Sequence, residues 1–223
     1  DGDGDRLGVI TNLGEVVFPD QLLMIFAEDI LKDHQGKEII FDVKCTNLLG
    51  DIINKAGGIP LMSRTGHFHI KNTLKKTGAP LAGEMSGHIF FNDKWYGFDD
   101  GHYSAFRLIE ILNCSKAPLS EIFARLPKAF STPEMNINVS EDKKFEIVER
   151  FVDEAEFQDG TKITIDGLRV NFSDGWGLLR ASNTTPKLVL RFEGNTPERL
   201  LEIQNMFLKQ LKLIDESIQI ELS

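Results

Sequence analysis

The sequence predicts an α/β domain built on a mixed, mostly parallel sheet, followed by a smaller α+β domain with an antiparallel sheet and two helices. Up to about residue 127, short apolar runs alternate with helical patterns, which is typical of helices layered on a parallel sheet. After Pro127, several strand patterns follow one another between two helical stretches. The 223 residues leave room for one large domain or two ordinary ones.

In the first part of the chain, helices are predicted where apolar residues recur every three or four positions behind a capping residue. They cover Asp20–Ile30, a segment that begins at Thr46, His67–Thr77 and about Gly101–Leu112. Short apolar or alternating runs predict strands. These are Leu7–Thr11, Glu15–Phe18, Glu38–Asp42, Ile59–Ser63, Leu81–Gly83 and His88–Phe91.

The second part begins near Ala129–Thr132, and its last helix has Thr196 as the cap and Pro197 at its first position. Another helix is predicted over Asp142–Ala155. The predicted strands are Pro133–Val139, Lys162–Ile165, Leu168–Phe172, Trp176–Arg180 and Lys187–Phe192. We therefore predict two domains, which meet near residue 128.

The composition argues against several classes of function. The formal net charge is −9, whereas a nucleic-acid-binding surface needs a basic face. No apolar run is long enough to span a bilayer, and no charged apolar leader indicates secretion. Cys45 and Cys114 lack a paired metal spacing, so we interpret them as reduced thiols. We expect a cytoplasmic protein that binds neither nucleic acid nor membrane.

The chain opens DGDGDR, which places Asp1, Asp3 and Asp5 on alternate residues. The intervening glycines permit a tight loop on which three carboxylates can converge, and hard oxygen ligands suit Mg²⁺ or Ca²⁺. A calcium loop would need glycine and glutamate where Arg6 and Asn12 stand, so Mg²⁺ is favoured. The alternative is a solvated acidic segment.

Two further stretches combine polar groups with turns. In GEMSGH, Glu84 and Ser86 can bind vicinal sugar hydroxyls, although an ordinary polar hairpin would have the same pattern. In RASNTTP, Arg180 precedes a loop of hydroxyl, amide and backbone donors that suits a phosphate group. A surface turn explains the loop residues nearly as well.

Two single residues also stand at ligand-facing positions. His67 in RTGHFHIK starts a helix, where it can bind phosphate or move a proton near neutral pH. Lys44 follows the strand EIIFD, at the end of a parallel sheet where ligands usually bind.

DGDGDRLG, TGH, GEMSGH and RASNTTP, in this order and spacing, resemble the C-terminal part of α-D-phosphohexomutases, and FDVKCT and WYGFDDGHYSA extend the resemblance over the chain. Members of that family move phosphate between the 1- and 6-positions of a hexose through a bisphosphorylated intermediate, in a cleft formed by four domains. The resemblance implies Mg²⁺ ligation by Asp1, Asp3 and Asp5, and catalytic roles for Arg6, His67 and His88. The substrate-binding residues that it implies are Lys44, Glu84, Ser86, His88, Arg180, Ser182, Asn183 and Thr184.

The resemblance also sets limits. The family's nucleophile is a phosphoserine in the first domain, and this chain has no such loop. We therefore expect the tail of the second family domain with its metal-binding loop at 1–15, the third family domain at 16–128 and the fourth at 129–223. The N-terminal domains are missing, and we expect no catalysis by the fragment alone. Met85 favours mannose or glucose phosphates over glucosamine phosphate, with a glucose 1,6-bisphosphate-type intermediate, and the protein is expected to be a monomer. The alternatives are a non-catalytic sugar-phosphate binding module and, less favoured, a calcium-binding interaction domain.

Overall fold

The chain separates between Pro127 and Lys128 into two units, each with its own hydrophobic core. The computed structural model describes residues 1–218, so the last five residues of the predicted second domain lie outside the described part. The elements of unit 1 are β1 (Val9–Ile10), β2 (Val16–Val17), α1 (Pro19–Ile30), β3 (Glu38–Asp42), α2 (Asn47–Lys55), β4 (Ile59–Ser63), α3 (His67–Thr77), β5 (Leu81–Gly83), β6 (Ile89–Phe91), α4 (Gly101–Ser115) and α5 (Leu119–Ala124).

The main sheet of unit 1 has the strand order β4-β3-β5-β6. Strand β3 pairs in parallel with both β4 and β5, while β6 runs antiparallel to β5. The helices α2 and α3 provide the crossovers that parallel neighbours require. The sheet is thus mixed and mostly parallel, which confirms the predicted fold class, and it brings the carboxyl ends of β3, β4 and β5 to one edge.

Alternate residues of β3 enter two separate apolar clusters. Ile39 and Phe41 pack in the large cluster that contains residues of α1 and α2, whereas Ile40 packs with Ile70 and Leu74 of α3. This alternation follows from the two-residue period of a strand. Unit 1 is therefore a sheet covered by helices on both faces, which fixes the positions of the loops at its edge.

Unit 2 contains β7 (Phe130–Ser131), β8 (Met135–Asn138), α6 (Lys144–Glu154), β9 (Thr161–Ile163), β10 (Leu168–Phe172), β11 (Gly175–Ala181), β12 (Lys187–Gly194) and α7 (Pro197–Ile214). Its sheet has the order β7-β12-β11-β10-β9, with β8 also paired to β12, and all of these pairs are antiparallel. Ile147 and Phe151 of α6 and Ile203 and Phe207 of α7 pack in one core with the sheet. The predicted α+β architecture with two helices is confirmed.

Two elements were not predicted. Helix α5 follows Pro118 and has only six residues, which are too few to show the apolar period of a helix. Strand β7 has two exposed residues, which carry no alternation of apolar and polar side chains. Helix α4 also continues three residues beyond the predicted Leu112.

No helix within residues 1–218 has both the length and the apolar character needed to cross a bilayer.

Candidate functional site

Three loops meet at the edge of the sheet where β3, β4 and β5 end, and Asp42 joins them. The Oδ1 atom of Asp42 accepts hydrogen bonds from the Cys45 thiol and from the backbone N–H of Met85, both at 3.1 Å. Its Oδ2 atom accepts one from the Thr65 hydroxyl, also at 3.1 Å. Because Asp42 is fully buried, this carboxylate fixes the three loops from inside the unit.

Glu84 begins the loop of residues 84–88 that connects β5 to β6. Its side chain is only 2% exposed, and its Oε1 atom accepts a 2.6 Å hydrogen bond from the Gly66 N–H. Burial, together with the negative charge of Asp42, raises the pKa of Glu84 from 4.5 to about 7, against the opposing effect of Lys44. Glu84 therefore exchanges a proton near neutral pH, and either of its forms can bind a sugar hydroxyl.

Asp99, just before α4, gathers three basic side chains. Its Oδ2 atom lies 3.1 Å from His88 Nδ1 and 3.4 Å from His67 Nδ1, while its Oδ1 atom accepts a 3.1 Å hydrogen bond from Lys71 Nζ. Burial opposes ionisation of Asp99, but the Lys71 hydrogen bond and charge outweigh it and lower the pKa of this carboxyl. Asp99 is therefore an anion that is hydrogen-bonded to Lys71 and His67 and lies beside His88.

His88 is half-buried between two carboxylates. Its Nδ1 atom lies 3.6 Å from Asp5 Oδ2 and 3.1 Å from Asp99 Oδ2 and is hydrogen-bonded to neither. Burial lowers the pKa of His88 although both carboxylates favour its charged form. A ring of this kind is neutral at physiological pH and can accept a proton.

The segment that carries the three aspartates lies against the same residues. Arg6 forms an antiparallel bridge with His88, and the Gly101 N–H of α4 donates a 2.9 Å hydrogen bond to the Gly4 carbonyl. Arg6 Nε is paired with Asp1 and lies 3.7 Å from Asp5 Oδ1. The start of α4 thus places the acidic segment beside the histidines.

The donor set of this segment fits a hard cation. Asp1, Asp3 and Asp5 each offer one oxygen, and these atoms lie within 4.8 Å of one another. Asp5 Oδ1 is buried and has no hydrogen-bond partner among the described residues. A buried carboxylate oxygen without a partner is costly, and a divalent cation would supply the missing interaction.

The other predicted residues of unit 1 differ in accessibility. Lys44 is buried and acts electrostatically on Glu84, so it belongs to the same group of side chains. Ser86 is exposed near the tip of the 84–88 loop, and His67 is exposed at the start of α3. The fold therefore brings Arg6, Lys44, His67, Glu84 and His88 to one edge of the sheet.

In unit 2 the predicted phosphate-binding residues lie at the end of β11 and in the loop of residues 182–186. Arg180 is 4% exposed, its Nε atom pairs with Asp166 at 3.0 Å, and its Nη2 atom is buried without a hydrogen-bond partner among the described residues. The Ser182 hydroxyl accepts from the Thr184 and Thr185 N–H groups at 3.4 and 3.2 Å. Asn183 and Thr184 are exposed, so the loop has a solvent-facing polar surface next to a guanidinium with an unused donor.

Sequence reasoning missed the residues that hold the predicted ones in place. Asp99 and Asp42 have no ligand-type spacing in the sequence, and Asp99 stands next to Asp100, which caps α4 by accepting from the Tyr103 N–H. One signal was available, because Asp42 directly follows the apolar run Ile39–Phe41 at the end of a strand in a parallel sheet, where ligands usually bind. The pairing of residues 88 and 99 has no such signal.

Comparison with known proteins identifies the class. Residues 18–130 match the phosphoglucomutase/phosphomannomutase alpha/beta/alpha domain III, and residues 134–210 match the C-terminal domain of the same proteins. The chain belongs to the phosphoglucomutase/phosphomannomutase family and contains C-terminal domains of it.

Individual relatives agree. A phosphomannomutase/phosphoglucomutase of Pseudomonas aeruginosa is 53% identical over 99% of this chain and 48% of its own length. A phosphoglucomutase of Neisseria gonorrhoeae is 53% identical over 93% of this chain and 45% of its own. The crystal structure of a family protein from Burkholderia thailandensis superposes with a TM-score of 0.92 at 48% identity, over 98% of this chain and 46% of that one. The chain thus spans about half the length of the curated relatives it matches.

Proposed function

We propose that this chain supplies the sugar-binding and phosphate-binding parts of a mutase that interconverts hexose 1-phosphates and hexose 6-phosphates of mannose or glucose through a bisphosphorylated sugar. The nucleophilic phosphoserine of the family has no counterpart in this chain, so the 223 residues alone are expected to bind but not to catalyse. We further propose a cytoplasmic, monomeric protein. Its net charge of −9 disfavours binding to the anionic surfaces of nucleic acids and membranes.

The observation that carries the proposal is the placement of Glu84. The bond from Gly66 and the burial of this carboxyl hold it at the sheet edge, in the same group as Lys44 and the two histidines. Glu84 can accept or donate hydrogen bonds to adjacent hydroxyls, and His88, as the neutral ring, can take a proton from the hydroxyl that attacks phosphorus. Phosphoryl transfer depends mainly on such positioning and on charge stabilisation.

The phosphate that is not being transferred is assigned to unit 2. Arg180 has a buried Nη2 donor without a partner among residues 1–218, and a phosphate oxygen would complete its hydrogen bonds. Ser182, Asn183 and Thr184 would add hydroxyl, amide and backbone donors.

We also propose Asp1, Asp3 and Asp5 as ligands of Mg²⁺, with Arg6 beside them. Bound there, the ion would neutralise charge on the phosphoryl group being transferred. The residues themselves orient the site, because Asp5 lies next to His88 and Arg6 bridges to the same histidine.

The test is calorimetric titration of the chain with glucose 1,6-bisphosphate, with and without Mg²⁺. Arg180→Ala should weaken binding by about 1.5–3 kcal/mol, the usual contribution of a hydrogen bond to a charged group. Arg199→Ala is the matched control, because Arg199 of α7 already pairs with Asp174 in the turn after β10 and with Glu202 of its own helix. Equal affinities for both variants and the parent chain, or no binding by the parent, would overturn the proposal. Mannose 1,6-bisphosphate in the same experiment compares the two sugars.

A further inference from the structure

We infer that Asp42 is a positioning residue of the sugar site: its buried carboxylate ties the loops after β3, β4 and β5 together and so holds Glu84 against Gly66. The inference rests on the proposed function for what Glu84 binds. Asp42 is not among the residues that the sequence motifs assign to ligand or metal binding, so the inference adds it to the site. Asp42 itself is fully buried, so it acts through its neighbours.

The hydrogen bonds form a closed set around Glu84. The Gly66 N–H donates a hydrogen bond to Glu84. The residue before Gly66 and the residue after Glu84 are both hydrogen-bonded to Asp42. Thr65, just before Gly66, donates its hydroxyl to Oδ2, and Met85, just after Glu84, donates its N–H to Oδ1. Asp42 thus fixes both ends of the Gly66–Glu84 bond, from a third segment of the chain.

The same carboxylate acts on Glu84 through its charge. The groups that face Glu84 are Asp42 at the end of β3, Lys44 in the loop after β3, and Asp99 before α4. Asp42 and Asp99 disfavour a charged Glu84, whereas Lys44 favours it. Asparagine has nearly the same shape as aspartate but carries no charge. Asp42→Asn therefore removes one negative charge near Glu84, so Glu84 should ionise at lower pH.

A purely structural role makes a different prediction. If Asp42 only stabilised the sheet, its replacement would change the unfolding midpoint and leave Glu84 unchanged in the folded state. A positioning role requires a local effect at Gly66 and Glu84 in a chain that is still folded. The ligand-free chain can therefore be used for the first measurement, independently of any sugar phosphate.

The first measurement is hydrogen exchange and carboxyl titration by NMR in the ligand-free chain. Asp42→Asn should speed exchange of the Gly66 and Met85 N–H groups at least tenfold, leave Ile40 in β3 protected, and lower the midpoint of Glu84 titration. Asp51→Asn, an exposed aspartate of α2, is the matched control and should change none of these values. Unchanged Gly66 exchange and an unchanged Glu84 titration in Asp42→Asn would overturn the inference.

Thr65→Val provides a second variant that keeps the charge of Asp42 and removes one hydrogen bond. It should speed Gly66 exchange without the downward shift of the Glu84 midpoint, and it serves if Asp42→Asn fails to fold. Slow Gly66 exchange in Thr65→Val would contradict the positioning role.

Glucose 1,6-bisphosphate is the probe for the link to binding. Asp42→Asn should weaken its binding about tenfold, whereas Asp51→Asn should bind as the parent does. If Asp42→Asn leaves the exchange of the Gly66 N–H unchanged and the chain still binds glucose 1,6-bisphosphate, the inference alone is refuted. Intact exchange effects in a parent chain that binds no sugar phosphate would refute the proposed function and leave the role of Asp42 in holding Glu84 supported.

Discussion

The buried ammonium group of Lys144 donates a 3.1 Å hydrogen bond to the carbonyl oxygen of Thr185. Lys144 is 1% exposed and is also paired with the exposed Glu141. The bond joins the start of α6 to the 182–186 loop, whose other internal bonds converge on the Ser182 hydroxyl. A positive charge is thus held directly behind the loop that we assign to phosphate.

Replacement of this lysine should loosen the loop. Lys144→Met removes the charged one of two donors to the Thr185 carbonyl, the other being the Lys187 N–H at 2.8 Å, and should cost about 1–3 kcal/mol of the free energy of unfolding. Denaturant unfolding measures the cost, and calorimetry with glucose 1,6-bisphosphate should show weaker binding. Lys143→Met removes the same charge from the neighbouring exposed position and serves as the control. Equal stability of the two variants would show that the Lys144 bond contributes nothing.

Glu84 should make the stability of the chain depend on pH. The folded state keeps a proton on Glu84 up to about pH 7, whereas the unfolded residue releases it near 4.5. Stability should therefore fall as the pH rises from 4.5 to 7, by up to about 3 kcal/mol. In Glu84→Gln this part of the pH dependence should disappear, as measured by denaturant unfolding at several pH values. Glu121→Gln, an exposed position of α5, should keep the parent profile, and an unchanged profile in Glu84→Gln would contradict the burial argument.

Magnesium should stabilise the ligand-free chain if the acidic segment binds it. Binding to the folded state alone raises stability by RT ln(1 + [Mg²⁺]/Kd), so the unfolding midpoint should increase with Mg²⁺ concentration. Asp3→Asn removes one of the three carboxylates and should reduce the increase. Asp33→Asn changes an exposed aspartate elsewhere in unit 1 and should retain it. An equal increase in both variants would mean that Mg²⁺ binds at another place.

Gly101 should be needed to place the acidic segment. A Cβ atom at this position would lie 2.6 Å from the Arg6 carbonyl oxygen and 3.0 Å from that of Gly4. Both contacts are with backbone, so Gly101→Ala must push the segment away from α4. We expect weaker Mn²⁺ binding, measured by paramagnetic resonance, with α4 intact by circular dichroism. Gly8→Ala meets open space and is the control; Mn²⁺ affinity that is equal in the two variants would show that contact with α4 does not place the carboxylates.

The elements that position the site could be predicted from the sequence because their patterns are local. Strands β3 and β4 and helix α3 begin and end at the predicted residues, since each has a clear apolar period and a distinct end. Strand β7 and helix α5 were missed because two and six residues carry too little pattern. Predictability here depends on a clear local pattern of apolar residues and turns, since the three-residue strand β5 was also predicted at its observed bounds.

The site residues were accessible only as separate motifs. Local sequence pointed to Glu84, His67 and Arg180 through the turns and strand ends on which they lie. It gave no sign that Asp99 would face His67 and His88, or that Asp166 would pair with Arg180. Those contacts arise when separate elements come together in the fold, and no short spacing encodes them. Whether the predicted residues bind ligand as expected stays a prediction for the experiments above.

The bond between Asp42 and residue 85 is made by the backbone N–H of Met85 and not by its side chain. Any residue except proline can donate that bond, so mutation at position 85 need not disturb the arrangement around Glu84. The thioether side chain, which is partly buried against the core, is then free to vary during evolution. Descendants of one ancestor can therefore carry different side chains at this position while they inherit the same supporting hydrogen bonds.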